Sequence, residues 1–152
     1  MAVQDIDVSA TTAASPHTVH ALLVDGATWP TWSPLGSFEL ERPADDGSEG
    51  AGAIRIFRTG RLRNRERIVE CVPGRRLSYV LLEGMAVRGY RADIDLTETA
   101  DGTRIRWHST FRAKMPGMGG VYRRSLTTFL QRSVDGLAER AAALEGRAAG
   151  NG

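Results

Sequence analysis

A stretch of alternating apolar and polar residues runs from Tyr90 to Phe111 and is interrupted once, by Asp101-Gly102. This dipeptide favours a two-residue type I′ turn, since both central residues of that turn need a positive φ. The turn pairs Ala100 with Thr103, and the resulting register places three further pairs on the same face: Leu96 with Trp107, Ile94 with Ser109, and Ala92 with Phe111. The other face carries polar pairs: Asp95 with His108, Thr97 with Arg106, and Asp93 with Thr110. We therefore predict an antiparallel sheet with one buried face and one solvated face.

The predicted inner face combines one large aromatic side chain with small ones. Trp107 lies on it beside Ser109 and Ala92. Small side chains next to a large one leave room for atoms that are not protein. We therefore expect a lined cavity on this side of the sheet.

Composition excludes several classes of function. The 152 residues are expected to form one domain, residues 1–145, and interspersed charges of both signs leave a net charge of +2. Such a balance predicts no nucleic acid partner. No apolar run approaches the roughly 20 residues that span a bilayer, and the N-terminus has no signal-like segment, so we expect a cytoplasmic protein without stable membrane insertion.

Cysteine and histidine usage predicts neither a metal site nor a cofactor. Cys71 is the only cysteine, which excludes an internal disulfide and is typical of a residue that fills the core. His17 and His20 lie three residues apart on a predicted short helix, but no third ligand is in view.

The predicted elements are a strand, two short helical segments, six strands and one long helix. Residues 3 to 12 form the first strand, Ser15-Pro16 opens a short helix, and Thr28 to Pro34 is a helical turn at most. The six strands are Ser37 to Arg42, Ala53 to Arg58, Leu62 to Val72, Leu77 to Leu82, Val87 to Thr99 and Thr103 to Ala113. Gly119 to Leu144 is predicted as a long amphipathic helix, and the Gly-rich tail 146–152 is expected to be disordered.

The hairpin from Leu62 to Leu82 needs a longer turn, because Pro73 cannot supply a positive φ. A three-residue loop, Pro73 to Arg75, pairs Cys71 with Leu77, Val69 with Tyr79, and Arg67 with Leu81. This register turns Arg67, and with it Arg65, toward the interior, while Glu66, Ile68 and Glu70 face out. A bulge anywhere in the strand would reverse the assignment.

The dry face of a seven-stranded sheet has to be covered, and the C-terminal helix is the only long amphipathic element predicted. The expected fold class is α+β. It is a helix-grip fold, in which a seven-stranded antiparallel sheet wraps around a long C-terminal helix and two short helices follow the first strand.

In this order of elements the chain resembles the START-like superfamily, and within it the bacterial polyketide cyclase/dehydrase-like proteins. The resemblance covers roughly residues 3 to 143. It rests on five motifs: Ser15-Pro16, the segment from Trp29 to Pro34, the Pro73 to Leu77 turn, Asp101 to Arg104 followed by Ile105 and Trp107, and the Gly-rich lead into the last helix. The resemblance implies a hydrophobic cavity between sheet and helix that accepts lipids, polyketides or other apolar molecules. Its aromatase/cyclase members have an interior arginine on the strand where Arg67 falls.

Three classes of function remain open. The first is a carrier or sensor that binds a small hydrophobic ligand. The second is a polyketide cyclase, aromatase or dehydratase that uses the same cavity, with Arg67 stabilising an enolate. The third is an interaction module with a solid interior. The expected ligand-binding residues are Trp32, Arg67, Tyr79, Tyr90, Trp107, Ser109, Phe111, Met115, Met118, Tyr122, Leu126 and Phe129. The oligomeric state is left open.

Three further expectations concern individual residues and segments. His108 is chemically the best titratable candidate, but its register places it on the outer face opposite Asp95, which favours a surface ion pair over a general base. Trp29 and Trp32 either form a lid or plug the gap beside the sheet. The Gly-rich segment Pro116 to Gly120, flanked by Met115 and Met118, and the segment Trp29 to Leu35 are predicted to form opposite, mobile rims of the cavity mouth.

Overall fold

The structure, a computed structural model, describes residues 2–150. Strand β1 (Gln4–Thr12) leads to helix α1 (Pro16–Leu23), a 3-10 turn (Gly26–Thr28) and the short helix α2 (Trp29–Trp32). Six strands follow: β2 (Ser37–Arg42), β3 (Ile54–Thr59), β4 (Leu62–Val72), β5 (Arg76–Glu83), β6 (Val87–Thr99) and β7 (Gly102–Ala113). Helix α3 (Gly119–Gly150) completes the fold.

The seven strands form one antiparallel sheet in the order β1-β7-β6-β5-β4-β3-β2, and α3 packs on its inner face. The helix-grip prediction is therefore confirmed. Helix α3 continues six residues past Leu144 and includes most of the tail for which the composition predicts disorder. Residues 151 and 152 of that tail lie outside the described residues.

Local sequence explains how the helices begin and meet. The Ser15 hydroxyl accepts a hydrogen bond from the Thr18 N–H, and Pro16 occupies the first turn of α1, as the Ser-Pro pair predicts. Buried residues of α3 recur at helical spacing, among them Leu130, and each such leucine contributes about 1.5–3 kcal/mol on burial. Helices α2 and α3 cross at Gly136, where a Cβ atom would overlap a carbonyl oxygen of α2.

The register of the β6–β7 hairpin differs from the prediction by two residues. Thr99 pairs with Gly102, so the turn residues are Ala100 and Asp101, and Ile94 lies opposite Trp107. No described non-glycine residue has a positive φ, so Asp101 does not take the conformation that a type I′ turn needs. Gly102 instead has φ near +149° at the start of β7. Because the shift is even, every side chain stays on its predicted face.

The β4–β5 hairpin begins as predicted and then departs from the prediction. Cys71 pairs with Leu77, as expected for a three-residue loop. Val69 is then the extra residue of a β-bulge, since Glu70 pairs with Ser78 and Ile68 with Tyr79. The bulge reverses the faces of the strand beyond it. The prediction that Arg67 and Arg65 face the interior is therefore wrong.

Candidate functional site

Aromatic rings line the inner face of the sheet. Trp107 lies at the centre, with the Trp29 ring 5.6 Å and the Tyr79 ring 6.5 Å from it between centroids, both in edge-to-face contact. Tyr79 continues to Tyr90 at 6.2 Å, and Tyr90 to Phe111 at 6.1 Å. Each of these side chains is at most 4% exposed. The wall is rigid and apolar, as the sequence predicts for four of these five residues.

Helix α3 faces this wall with the residues expected from its apolar stripe. Leu126 is buried, and Tyr122 and Phe129 are half-buried against the same core. These three positions lie in the first half of the helix, where it covers the sheet beside β1 and β7. The sequence-predicted ligand side chains of sheet and helix are thus brought together.

Two charged residues lie on the same inner face. The β3–β4 register sets Arg55 directly opposite Glu66, and both are buried, with exposures of 0% and 8%. The Arg55 guanidinium donates to the Leu23 carbonyl oxygen at 2.8 Å and lies 3.4 Å from the Glu49 carboxylate. It also stacks over the Trp29 ring at 4.7 Å, a cation–π contact. These contacts hold the Arg55 guanidinium on the inner face beside the aromatic wall.

Burial changes the acid–base properties of this group of residues. It raises the pKa of Glu66 to about 7, and the positive charge of Arg55 only partly opposes the rise. Burial also raises the pKa of Tyr90 to about 12 and holds that of Tyr79 well above its usual value, and the charge of Glu66 contributes to both shifts. A carboxyl group that titrates near neutral pH is typical of functional sites.

Several polar atoms of this interior have no hydrogen bond of good geometry among residues 2–150, although the hydroxyls of Tyr79 and Tyr90 approach Trp107 and Ser109 closely enough to affect the tyrosine pKa values. They are Arg55 Nε and Nη2, Glu66 Oε1, Trp107 Nε1 and Ser109 Oγ. Ser109 lies between Ile6 of β1 and Ala92 of β6, in the same row of the sheet as Tyr79. Leaving a buried polar atom unpaired costs about 1–3 kcal/mol, so a group of them on one surface calls for a partner of its own. We call Arg55, Glu66, Tyr79, Tyr90, Trp107 and Ser109 the interior polar cluster.

Arg55 and Glu66 were missed by sequence reasoning for different reasons. Arg55 alternates with Ala53 and Phe57 along β3, and both of these are buried on the inner face, so this alternation could have identified it. Glu66 depends on the bulge at Val69, which no turn or glycine signals. Arg67, predicted in their place, is exposed on the outer face.

The outer face carries ion pairs, as its alternation predicts. His108 Nε2 lies 2.7 Å from Asp95 Oδ2, which confirms the surface pair between these two residues. Arg76 also binds Asp95, at 2.7 Å, and its charge and hydrogen bond lower the pKa of Asp95. The face carries a solvated network of charges.

The two segments predicted as opposite rims do not face one opening. Trp29 and Trp32 are buried, and α2 meets α3 at Gly136, whereas the Pro116–Gly120 connection lies at the start of α3. At 1.5 Å per helical residue the two places are about 25 Å apart. Met115 is 59% exposed and Met118 half-buried at the second place. Trp29 plugs the interior, and the mobility of the connection stays a prediction.

Five surface concavities of about 320 to 980 Å³ are formed by described residues, and none of the five is lined by Tyr79, Tyr90 or Trp107. One of them, of about 320 Å³, reaches the aromatic wall at Phe111. The lined cavity predicted beside Trp107 is not among the five, because neighbouring aromatic rings pack against Trp107 on this side of the sheet. One groove of about 660 Å³ contains Cys71 and His20, whose Sγ and Nε2 atoms lie 3.7 Å apart. Burial raises the pKa of the thiol, which disfavours the nucleophilic thiolate, and burial lowers the pKa of the imidazole, which favours the neutral ring.

Within residues 2–150, no group of three or more His, Cys, Asp or Glu side chains is arranged to hold a metal ion. None of the helices in this part of the chain is long and apolar enough to span a bilayer.

Comparisons with solved structures agree with the fold. A START superfamily protein from Mycobacterium smegmatis superposes with a TM-score of 0.77 at 14% identity, over 93% of this chain and 98% of that protein. A protein from Thermus thermophilus gives 0.74 at 20% identity, over 93% and 99%. The di-domain ARO/CYC protein StfQ from the steffimycin biosynthetic pathway gives 0.75 at 17% identity, over 95% of this chain and 52% of StfQ, so that the chain spans about half of that protein.

Sequence comparison identifies the family. No curated protein sequence matches the chain. The family model described as polyketide cyclase / dehydrase and lipid transport matches residues 3–142, nearly the whole domain. The chain therefore belongs to the polyketide cyclase / dehydrase and lipid transport family, and it shares its fold with the START superfamily protein from Mycobacterium smegmatis.

Proposed function

We propose that the protein binds a small hydrophobic molecule, such as a lipid, a polyketide or a similar aromatic compound, between the sheet and α3, as a carrier or sensor. The observation that carries this proposal is the interior polar cluster, in which unpaired polar atoms lie on a wall of aromatic rings. A ligand with an apolar body and a few oxygen atoms would pair these atoms and fit between the rings. The expected ligand is therefore oxygenated and apolar rather than a plain hydrocarbon.

Access to the cluster requires a movement, because its side chains are almost fully buried. The Met115–Gly120 connection contains three glycines and joins β7 to α3. Rotation of the first half of α3 about this connection would separate Leu126 from the sheet and expose Tyr90 and Ser109.

The proposal is tested by thermal unfolding with paired compounds. Each pair consists of a planar aromatic hydroxyketone and the hydrocarbon of the same carbon skeleton. A ligand at 100 times its dissociation constant adds about 2.7 kcal/mol, which raises the Tm by about 5–11 °C for a domain of this size. The oxygenated member should stabilise more than its hydrocarbon.

Two variants on one strand locate the binding. Ser109→Val removes a hydroxyl from the inner face, and Thr110→Val removes one from the exposed outer face. Ser109→Val should abolish the preference for the oxygenated member of a pair, and Thr110→Val should leave it unchanged. Equal stabilisation by both members of every pair, or equal behaviour of the two variants, would contradict the proposal.

A second candidate function, cyclisation or dehydration of a polyketide-like substrate, is favoured by the pKa of Glu66. A carboxyl group with a pKa of about 7 can exchange a proton at neutral pH, and the Arg55 guanidinium can stabilise a developing enolate. Arg55 thus takes the role that the sequence assigned to Arg67. The similar protein StfQ is an ARO/CYC protein.

Product analysis with reactive poly-β-ketone substrates separates catalysis from carriage. If the protein is a cyclase or dehydratase, Glu66→Gln should change the product profile. Glu70→Gln, which removes a carboxyl group from the outer side of the same strand, should not. An unchanged profile with Glu66→Gln would exclude catalysis by this residue and leave carriage.

A further inference from the structure

One end of the domain exposes large apolar side chains. Met115 is 59%, Val121 58% and Val3 49% exposed, the highest values among the large apolar residues that the structure describes. They lie at the same end of the domain, because the β1–β7 register places Val3 beside the end of β7, and Gly119 at the start of α3 packs on the side chain of Gln4. We call Val3, Met115 and Val121 the apolar tip.

Positive charges surround the apolar tip. They come from the start of β6, the end of β7 and the first two turns of α3, and all are exposed: Arg88, Arg112, Lys114, Arg123 and Arg124. Arg88 and Arg112 share a small groove with Val3, and the Lys114 N–H donates to the Ala86 carbonyl oxygen, which ties the end of β7 to β6. We call these five residues the cationic collar.

The collar carries an uncompensated charge. None of its five side chains forms an ion pair with another residue of the described chain. The sequence from 102 to 134 contains no Asp or Glu, and the nearest carboxylate in register is Asp5, opposite Thr110. Elsewhere on the surface most arginines of the sheet are paired, as Arg76 and Arg106 are. The net charge of +2 conceals this local excess because acidic residues are concentrated at other places.

We propose that the apolar tip and the cationic collar dock the protein on an anionic lipid surface. Apolar side chains would enter the headgroup layer while the collar contacts lipid phosphates, which is how peripheral proteins bind without spanning a membrane. This goes beyond the binding of an interior ligand, since it is a second surface with its own chemistry. The tip includes the Met115–Gly120 connection, so docking would place the proposed path of access against the lipid.

The composition of the surface favours a lipid layer over an acidic protein. The apolar tip consists of exposed aliphatic side chains, and the collar charges come from β6, from the end of β7 and from α3. A protein partner is usually recognised through aromatic or arginine anchors at the centre of the interface. Here the exposed apolar residues are aliphatic, and the arginines are on the segments that flank them.

Vesicle sedimentation with the full chain tests the proposal. The probes are vesicles of neutral phosphatidylcholine, vesicles containing anionic phosphatidylglycerol, and soluble polyglutamate. We expect binding to the anionic vesicles that weakens as salt is raised, and little binding to the neutral ones. Each collar charge should contribute about fivefold to the partition coefficient, so that Arg123→Glu/Arg124→Glu lowers it at least about 25-fold. Met115→Ser should lower it about five- to tenfold.

A matched control distinguishes the cationic collar from unpaired arginines elsewhere on the surface. Arg75→Glu/Arg104→Glu reverses two exposed, unpaired arginines at the opposite end of the sheet and should change binding much less than the collar variant. Circular dichroism verifies that all variants are folded, since every substituted residue is exposed. Equal loss in the collar and control variants would overturn the proposal. Polyglutamate binding as strong as vesicle binding, with no effect of Met115→Ser, would overturn it as well and assign the surface to acidic polymers.

Discussion

Replacement of Glu66 by Gln should remove a pH dependence of stability that the wild-type protein has. Glu66 is 8% exposed and lies opposite Arg55 on the inner face. Burial raises its pKa from the ordinary value of 4.5 to about 7. Between these pH values the folded protein holds a proton that the unfolded chain has released.

The sign and size of this pH dependence of the unfolding free energy follow from proton linkage. The stability contributed by this group is fully present below pH 4.5 and is lost as the pH rises to about 7. At about 1.4 kcal/mol for each pH unit, the window between these two values gives roughly 3 kcal/mol. His20 acts in the opposite direction, because burial lowers its pKa and its contribution is lost as the pH falls below 6.5. The wild-type curve alone therefore does not isolate Glu66.

Urea unfolding of the wild type and of Glu66→Gln, measured from pH 4.5 to 8, isolates the contribution of Glu66. The difference in unfolding free energy between the two proteins should change by roughly 3 kcal/mol across this range, because His20 cancels in the subtraction. Glu70→Gln, which removes a carboxyl group from the outer side of β4, should leave the wild-type pH dependence in place. A difference between wild type and Glu66→Gln that stays constant with pH would refute the argument that Glu66 is buried in its protonated form.

Five further substitutions test the packing and the site. Gly136→Ala should lower the free energy of unfolding by about 1–3 kcal/mol or more, because its methyl group overlaps the backbone of α2. Gly146→Ala should raise the free energy of unfolding by up to about 1 kcal/mol, because its methyl group meets nothing within 4 Å. Urea unfolding compares the two variants. Ser109→Ala should raise the free energy of unfolding by about 1–3 kcal/mol, since the hydroxyl it removes is buried and unpaired, and a loss of stability would show that this hydroxyl has a partner. Arg67→Ala should change stability by less than about 0.5 kcal/mol and leave ligand affinity unchanged, and Arg55→Ala should weaken the binding of an oxygenated ligand at least tenfold in calorimetric titration.

The architecture could be predicted from the sequence because each element carries its own periodicity. Alternation over Tyr90 to Phe111 identified the inner face, and an even error in register did not change it. The wrong turn type came from Asp101, which the structure keeps at a negative φ. The helix stripe likewise placed Leu126 and Phe129 against the sheet.

The charged part of the site could not be predicted in the same way. A single unpaired residue, Val69, decides which side chains of β4 face inward, and a bulge of this kind leaves no mark in the hydrophobic pattern. The bulge therefore places Glu66, and not Arg67, on the inner face of the sheet. The exposed tip was equally hidden, because it is assembled from three chain segments that are far apart in the sequence.

The indole N–H of Trp107 offers the most direct measurement of ligand binding at the interior polar cluster. The chain has three tryptophans, and the indoles of Trp29 and Trp32 donate to the Leu23 carbonyl and the Thr28 hydroxyl, while Trp107 Nε1 has no partner within residues 2–150. In a ¹⁵N-edited proton spectrum titrated with an oxygenated aromatic ligand, the Trp107 indole proton should shift downfield more than the other two. Saturable binding of the ligand with the Trp107 signal unmoved would contradict the account, since the molecule would then bind somewhere else.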